Sequence, residues 1–324
     1  MIEPTEDLDR AAGALANGGL AVVPTETVHG LAADATNGGA VARIFEAKGR
    51  PRFNPLIAHV DGAASAARLV SMDGRAERLA GRFWPGPLTL VLPLREGAGV
   101  HPLVTAGLDT LAVRVPRGPM AELSRRLGRP LAAPSANVSG RVSATRTAHV
   151  MGDLAPRLDE ARDVVLPDAM MGDAPVGLES TIVSLVGEHA ELLRAGGLPR
   201  AEIEDALGGG LASAGEGGAR PRAPGMLASH YAPRGTVRLD ARHVAPHEFL
   251  IAFGPERAAG APSGVYQLSA AGNLAEAARR LFDALHAANA AGAGAIAVEP
   301  IPRDGLGEAI ADRLARAAAP RSDG

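Results

Sequence analysis

Leu20-Ala21-Val22-Val23-Pro24-Thr25-Glu26-Thr27-Val28-His29-Gly30 is the stretch on which the fold turns. Its apolar start reads as a short buried strand, and the strand runs straight into hydroxyls, a carboxylate and a turn glycine. Upstream, Leu8, Ala11, Ala12 and Leu15 recur at helical spacing, so a helix is predicted over 6–17, stopped by Gly18-Gly19. Downstream, Val41, Ile44 and Phe45 share one face of a helix predicted over about 39–48, which Gly49 and Pro51 end; Leu56 to Val60 is the next strand. The alternation continues. Helices are predicted over 74–83, 119–127 and 200–207. Strands are predicted over 88–92, 111–115, 131–133, 163–166, 180–186 and 190–194. This order indicates an α/β layer architecture, and the paired strands at 180–194 make the sheet mixed.

The chain has 324 residues, enough for two domains. Its character changes at residue 208. Gly208 to Arg222 is rich in Gly, Ala and Arg without apolar periodicity, so 208–235 reads as a linker or lid. Residues 1–207 form the expected first domain. Residues 236–324 form a small α/β domain of their own, with strands near 249–253 and 294–298 and helices near 273–290 and 307–318.

Composition narrows the function. The chain is 46% hydrophobic and 21% charged, as soluble globular proteins are. A net charge of −3 argues against a constitutive nucleic-acid binder. The absence of cysteine removes disulfides, thiolate nucleophiles and Cys-ligated zinc. The acidic start MIEPTEDLDR lacks the apolar core of a signal peptide, and no run is long enough to span a bilayer, so a cytoplasmic protein is expected. There is no G-x-x-x-x-G-K-[ST] and no histidine cluster suggesting zinc.

Five polar motifs remain. In Lys48-Gly49-Arg50-Pro51-Arg52-Phe53-Asn54-Pro55, three cations and an amide sit on a backbone restrained by two prolines. Preorganised guanidinium groups there suit phosphate, although Lys48 could simply offset a helix dipole. In Thr110-Leu-Ala-Val-Arg114-Val, strand alternation sends Thr110 and Arg114 to one face, roughly 13 Å apart at ~3.3 Å per residue. Arg114 is expected to bind an anion in preference to a carboxylate partner. Pro24-Thr25-Glu26-Thr27, Pro134-Ser135-Ala136-Asn137-Val138-Ser139-Gly140 and Glu179-Ser180-Thr181 each sit at a strand end, where open α/β sheets bind ligands. Alone, each is as well explained by a capping turn. His59 alone reads as a buried, satisfied histidine, and Arg194 as a solvated one.

Together the motifs resemble the YrdC-like family, the L-threonylcarbamoyladenylate synthases. PTETVHGL, KGRPRFNPL, FWPGPLTLV, TLAVRVP, PSANVSG and ESTIV occur in that family's order over about residues 15–200, and APGMLASHYAP (Ala223 to Pro233) with the small domain resembles its two-domain version. His29 departs from the Tyr common there. The resemblance implies a twisted mixed-sheet domain with a concave basic cavity, a linker and a small Rossmann-like C-terminal domain. It implies a reaction in which L-threonine, bicarbonate and ATP, with Mg2+, give threonylcarbamoyl-AMP and diphosphate. The product would pass to separate tRNA threonylcarbamoyl transferase proteins that modify adenosine 37 of ANN-decoding tRNAs.

Residue by residue, the resemblance implies that Lys48, Arg50 and Asn54 meet ATP phosphates, with Lys48 and Arg50 catalytic. Thr110, Asn137, Thr145, Arg194 and Tyr231 would complete the nucleotide site. Thr27, His59, Arg114, Ser135 and Ser180 would hold L-threonine, with Arg114 on its carboxylate. Two other classes stay open: a double-stranded RNA or tRNA-binding module, and a carbamoyl transferase. Direct tRNA binding is unsettled by the sequence, and no membrane partner is expected.

Overall fold

The computed structural model describes residues 2–172, 175–213, 221–225 and 230–320. Glu216, Arg220 and Met226, which the sequence reading included in the linker, lie outside them.

Ten strands form the large sheet: β1 (Ala21–Val23), β2 (Gly30–Asp34), β3 (Ile57–His59), β4 (Leu88–Pro93), β5 (Thr110–Arg114), β6 (Leu131–Ala132), β7 (Val164–Val165), β8 (Thr181–Ser184), β9 (Glu191–Arg194) and β10 (Ala212–Ser213). Their order is β10-β9-β8-β4-β5-β3-β6-β2-β1-β7. Parallel pairs such as β3/β5 and β4/β8 alternate with antiparallel ones such as β4/β5 and β8/β9, so the sheet is mixed.

Local chemistry explains the helices. Asp7 accepts the Asp9 and Arg10 amides and starts the helix Leu8–Ala16. Asn37 caps Gly38–Lys48 in the same way, and Gly49, at φ 61°, ends it in the left-handed conformation. Leu20, Val22, Leu31, Val41, Ile44, Leu90, Leu111 and Val113 pack in one buried aliphatic cluster. The outer strand Ala212–Ser213 pairs parallel with β9 inside the segment read as linker, so that segment is partly built into the sheet.

Strand β2 escapes the sequence reading. Its residues, Gly-Leu-Ala-Ala-Asp, have weak strand propensity, and pairing with β1 on one side and β6 on the other makes it a strand.

The second sheet orders β11 (Thr236–Arg238), β16 (Ala295–Val298), β13 (Glu248–Phe253) and β15 (Gly264–Ser269), all parallel; β12 (His243–Val244) and β14 (Ala259–Gly260) pair beside it. The helices Leu274–Ala290 and Leu306–Ala318 follow β15 and β16 in the chain. Their core is continuous with the first domain. Val28, Val142, Leu178 and Tyr231 belong to the same buried cluster as Phe282, Leu285 and Ile310. Among the described residues no helix is long and apolar enough to cross a membrane.

Candidate functional site

Sheet register assembles the site. β3 and β5 run parallel, and His59 pairs in register with Arg114, so both strands deliver a polar residue at the same level. On the other side of β4, β8 and β9 pair antiparallel with Ile182 opposite Arg194, which brings Arg194 back to Ser180. Arg194 donates to the Ser180 carbonyl (Nη2, 2.8 Å) and to the Pro224 carbonyl (Nη1, 3.3 Å), tying the sheet to the linker. Ser180 Oγ lies 2.7 Å from Thr89 Oγ1.

The loop after β1 folds on itself. Thr25 Oγ1 donates to the Val28 carbonyl at 2.7 Å and lies 2.8 Å from Thr27 Oγ1. Arg114 donates to Thr27 Oγ1 at 3.1 Å and to the Gly86 carbonyl at 3.1 Å. Its Nη2 stands 2.8 Å from Glu26 Oε1, an ion pair in contact without hydrogen-bond alignment. Arg114 thus has a carboxylate partner, which corrects the expectation of an anion alone. The partner sits within the PTET motif itself, but one strand gives no sign of which loop it will face.

One cavity is lined by Thr27, Arg50, His59, Arg114, Ser135, Ser180, Arg194 and Tyr231, with Glu179, His29 and His230. Eight of the thirteen candidate residues therefore meet. The others lie around it. Lys48 is buried behind the wall, donating to the carbonyls of Ser135 (2.6 Å) and Asn137. Asn137 Nδ2 donates to the Val138 and Arg141 carbonyls, both at 2.9 Å, while its Oδ1 has no partner among the described residues. Asn54 is buried, and among the described residues neither of its amide atoms has a hydrogen-bond partner. Thr145 lines an adjoining chamber that shares Thr25, Thr27, Val28 and His29, and its hydroxyl donates to Asp283. Thr110 stands at the far end of β5, half-buried and outside the cavity lining.

Burial sets the charge states. Arg50 is only 8% exposed, and burial together with the nearby Arg194 lowers its pKa to about 10, still cationic near neutrality. Lys48 is pushed well below its ordinary value by burial and by Arg50. His59 falls to about 3 through burial and the Arg114 charge, and His29 to about 4 through burial. Both are neutral imidazoles, and among the described residues His59 Nδ1 and His29 Nε2 have no hydrogen-bond partner. Backbone carbonyls fix two guanidinium groups: Arg50 donates to Asn54 O at 3.3 Å and to Pro55 O at 2.9 Å, as Arg194 does to Ser180 O. A carbonyl holds a guanidinium without cancelling its charge.

The sequence reading assigned no role to Glu26, Glu179 or Arg313. The first two lie inside quoted motifs. Arg313 lies in a C-terminal helix rich in arginine, and nothing local distinguishes it. The structure buries it completely, with Nε donating to Glu179 Oε2 at 2.9 Å and Nη2 to the Ala195 carbonyl at 2.9 Å.

A mixed sheet that gathers three buried arginines and several hydroxyls around one cavity, with a small parallel-sheet domain packed against it, defines an α/β protein whose cavity suits anionic and polar ligands. The family model described as "Telomere recombination" (Sua5, YciO and YrdC) matches residues 13–196, and that described as "Threonylcarbamoyl-AMP synthase, C-terminal domain" matches 198–319. The threonylcarbamoyl-AMP synthase of Pyrococcus abyssi is 40% identical over 95% of this chain and 92% of its own. That of Bacillus subtilis is 38% identical over 96% and 93%. The crystal structure of P. abyssi Sua5 complexed with L-threonine superposes with a TM-score of 0.85 at 36% identity, covering 96% of this chain and 94% of that one. The chain belongs to the threonylcarbamoyl-AMP synthase family, in its two-domain form.

Proposed function

We propose that this protein condenses L-threonine, bicarbonate and ATP into threonylcarbamoyl-AMP, diphosphate and water, acting as a nucleotidyltransferase. The observation that carries the reading is the convergence of Arg50, Arg114 and Arg194 with Thr27, His59, Ser135 and Ser180 on one buried cavity. In chemical terms the threonine amine takes up bicarbonate or CO2 as a carbamate. A carbamate oxygen then attacks the α-phosphorus, the bond to the β-phosphate oxygen breaks, and diphosphate leaves with the electron pair. Such transfers depend on positioning and charge neutralisation more than on a protein nucleophile, and the cavity offers no thiol or activated serine.

The distances within the cavity support the following roles. Arg114, held between Glu26 and Thr27, takes the threonine carboxylate on its remaining N–H groups. His59, Ser135, Ser180 and Thr27 supply acceptors and hydroxyls for the amine and side-chain hydroxyl. Arg50 and Arg194 face the phosphates, and the unpartnered Asn54 amide takes a phosphate or ribose oxygen. Asn137, Thr145 and Thr110 extend the nucleotide site, and Tyr231 closes the cavity from the linker. Lys48 acts at one remove, tying the Ser135 and Asn137 backbone in place beside Arg50.

Among the described residues no group of three or more His, Asp or Glu could hold a metal ion. Mg2+ would enter with the ATP triphosphate, offsetting phosphate charge as part of the substrate. The product would then serve the tRNA threonylcarbamoyl transferases of the same cytoplasm.

The test is diphosphate release from ATP and bicarbonate with and without L-threonine. Release that depends on threonine, with threonylcarbamoyl-AMP detected by mass spectrometry, supports the reading. Release that ignores threonine sinks it, and so does RNA binding with a steep salt dependence in the absence of any turnover.

A further inference from the structure

Arg313 of the small C-terminal domain contacts two residues that line the cavity. Arg313 is 0% exposed, although it lies on a helix whose other face is wet. It donates to Glu179 Oε2 and to the Ala195 carbonyl, and it reaches Asp312 at 2.6 Å. Its guanidinium carbon also lies 5.2 Å from the centre of the Tyr231 ring, within cation–π range. Both partners line the cavity.

Each needs support. Tyr231 holds φ 61°, a conformation that bulky L-residues adopt only when their surroundings impose it. Its surroundings are Arg313, the Phe282 ring at 5.6 Å and the His230 ring at 4.1 Å. Gly225 crosses the same spot so closely that a Cβ there would stand 3.0 Å from the Tyr231 hydroxyl and from Arg194 Cδ. Glu179 is a buried carboxylate that accepts from Ser143 Oγ at 2.6 Å and directly precedes Ser180. Arg313 faces it from the C-terminal helix and Arg194 from β9, with His230 and Tyr231 of the linker also close enough to interact electrostatically.

We infer that Arg313 is a positioning residue for the reaction: through Glu179 and Tyr231 the C-terminal domain fixes Ser180 and the linker at the cavity, making that domain part of the catalytic unit. Arg313 touches neither substrate in this scheme. It orders two walls that do. The inference rests on the synthesis proposed above.

Two charges are lost or kept together here. A buried carboxylate stripped of its cation is strongly unfavourable, whereas replacing both members by neutral groups need not be. Burial alone raises a carboxyl's pKa, and Glu179 stays below its ordinary value because Arg313 and Arg194 outweigh burial. The wild-type pair therefore contributes stability above the ordinary carboxylate range and loses it on acidification. In Arg313→Met the sign reverses, since Glu179 then ionises only at a cost that grows as pH rises.

Three variants test this with full-length protein: Arg313→Met, Glu179→Gln, and the two combined. Arg313→Met is expected to lower kcat/KM for both substrates about tenfold or more, the effect of walls misplaced at the reacting groups. Its melting-temperature deficit against wild type should widen from pH 5 to pH 8. The combined variant should lose the widening but keep the low kcat/KM, because neither side chain then ties Ser180 and Tyr231 to the C-terminal domain. Near-wild-type kinetics in Arg313→Met overturn the inference. So does an Arg313→Met deficit that is constant with pH and not relieved by Glu179→Gln, because that pattern describes packing alone. Wild-type protein without threonine-dependent diphosphate release refutes the function instead, while the melting measurements still report on the Arg313–Glu179 pair.

Discussion

Replacing Gly196 by Ala tests whether the β8–β9 pairing holds the cavity at fixed dimensions. Gly196 lies two residues beyond Arg194 and is pressed against the ESTIV motif. A Cβ built there would stand 2.4 Å from the Glu179 carbonyl oxygen, 2.5 Å from Ser180 C and 2.5 Å from Thr181 N. All three are backbone atoms and cannot swing aside. Ordinary contact begins at 3.4 Å, so the two segments must part by about 1 Å. Overpacking of this kind costs about 1–3 kcal/mol, a loss of a few degrees in melting temperature for a protein of this size.

The larger effect is on catalysis. The displaced atoms belong to Ser180 and, through its 2.8 Å bond to the Ser180 carbonyl, to Arg194. A misplacement of about 1 Å at a reacting site can lower rate about 100-fold. Gly187, in the connection between the same two strands, has nothing within 4 Å of its own added Cβ and serves as the control. Threonine-dependent diphosphate release should fall about two orders of magnitude in Gly196→Ala and hold in Gly187→Ala. Full activity in a stably folded Gly196→Ala would show that the site tolerates movement of this wall, and the rigid-cavity argument would fail.

Arg50→Ala should abolish most ATP-to-diphosphate turnover with the melting curve little changed, since among the described residues Arg50 bonds to carbonyls of its own loop; retained turnover refutes its phosphate role. Arg114→Ala should raise the KM for threonine far more than that for ATP, and leaving Glu26 buried alone should cost about 3–5 kcal/mol of stability. Equal rises in the two KM values contradict the threonine assignment. Acid should destabilise the fold early. His29, His59 and His230, at about 4, 3 and 3, stay neutral in the folded protein while the unfolded chain protonates near 6.5. Stability is complete above that value and falls as pH drops from 6.5 towards 4, by up to about 1.4 kcal/mol per pH unit for each histidine. A His59→Asn variant should melt with a shallower acid slope, and an unchanged slope would show that His59 is protonated in the fold.

The sequence by itself determined much of the layer order. Apolar runs such as Val22-Val23 and Leu88 to Leu92, helices capped by Asp7, Asn37 and Gly49, and prolines around Arg50 are local facts, because periodicity and capping act over a few residues. The clustering of polar residues at strand ends was equally legible, but the eight candidates that share one cavity came from the family resemblance, since His59 and Arg194 read alone as a satisfied and a solvated side chain. Tertiary structure alone decided the partners. Glu26 and Arg114 are 88 positions apart in the chain, and only the register of β5 beside β3 and the return of the first loop bring them to 2.8 Å. β2 is a strand because two neighbours complete its hydrogen bonds, against weak propensity. Arg313 looks like any arginine of an amphipathic helix until the helix docks. Pairing and burial depend on which surfaces meet in space, and a single chain's local pattern carries no record of that.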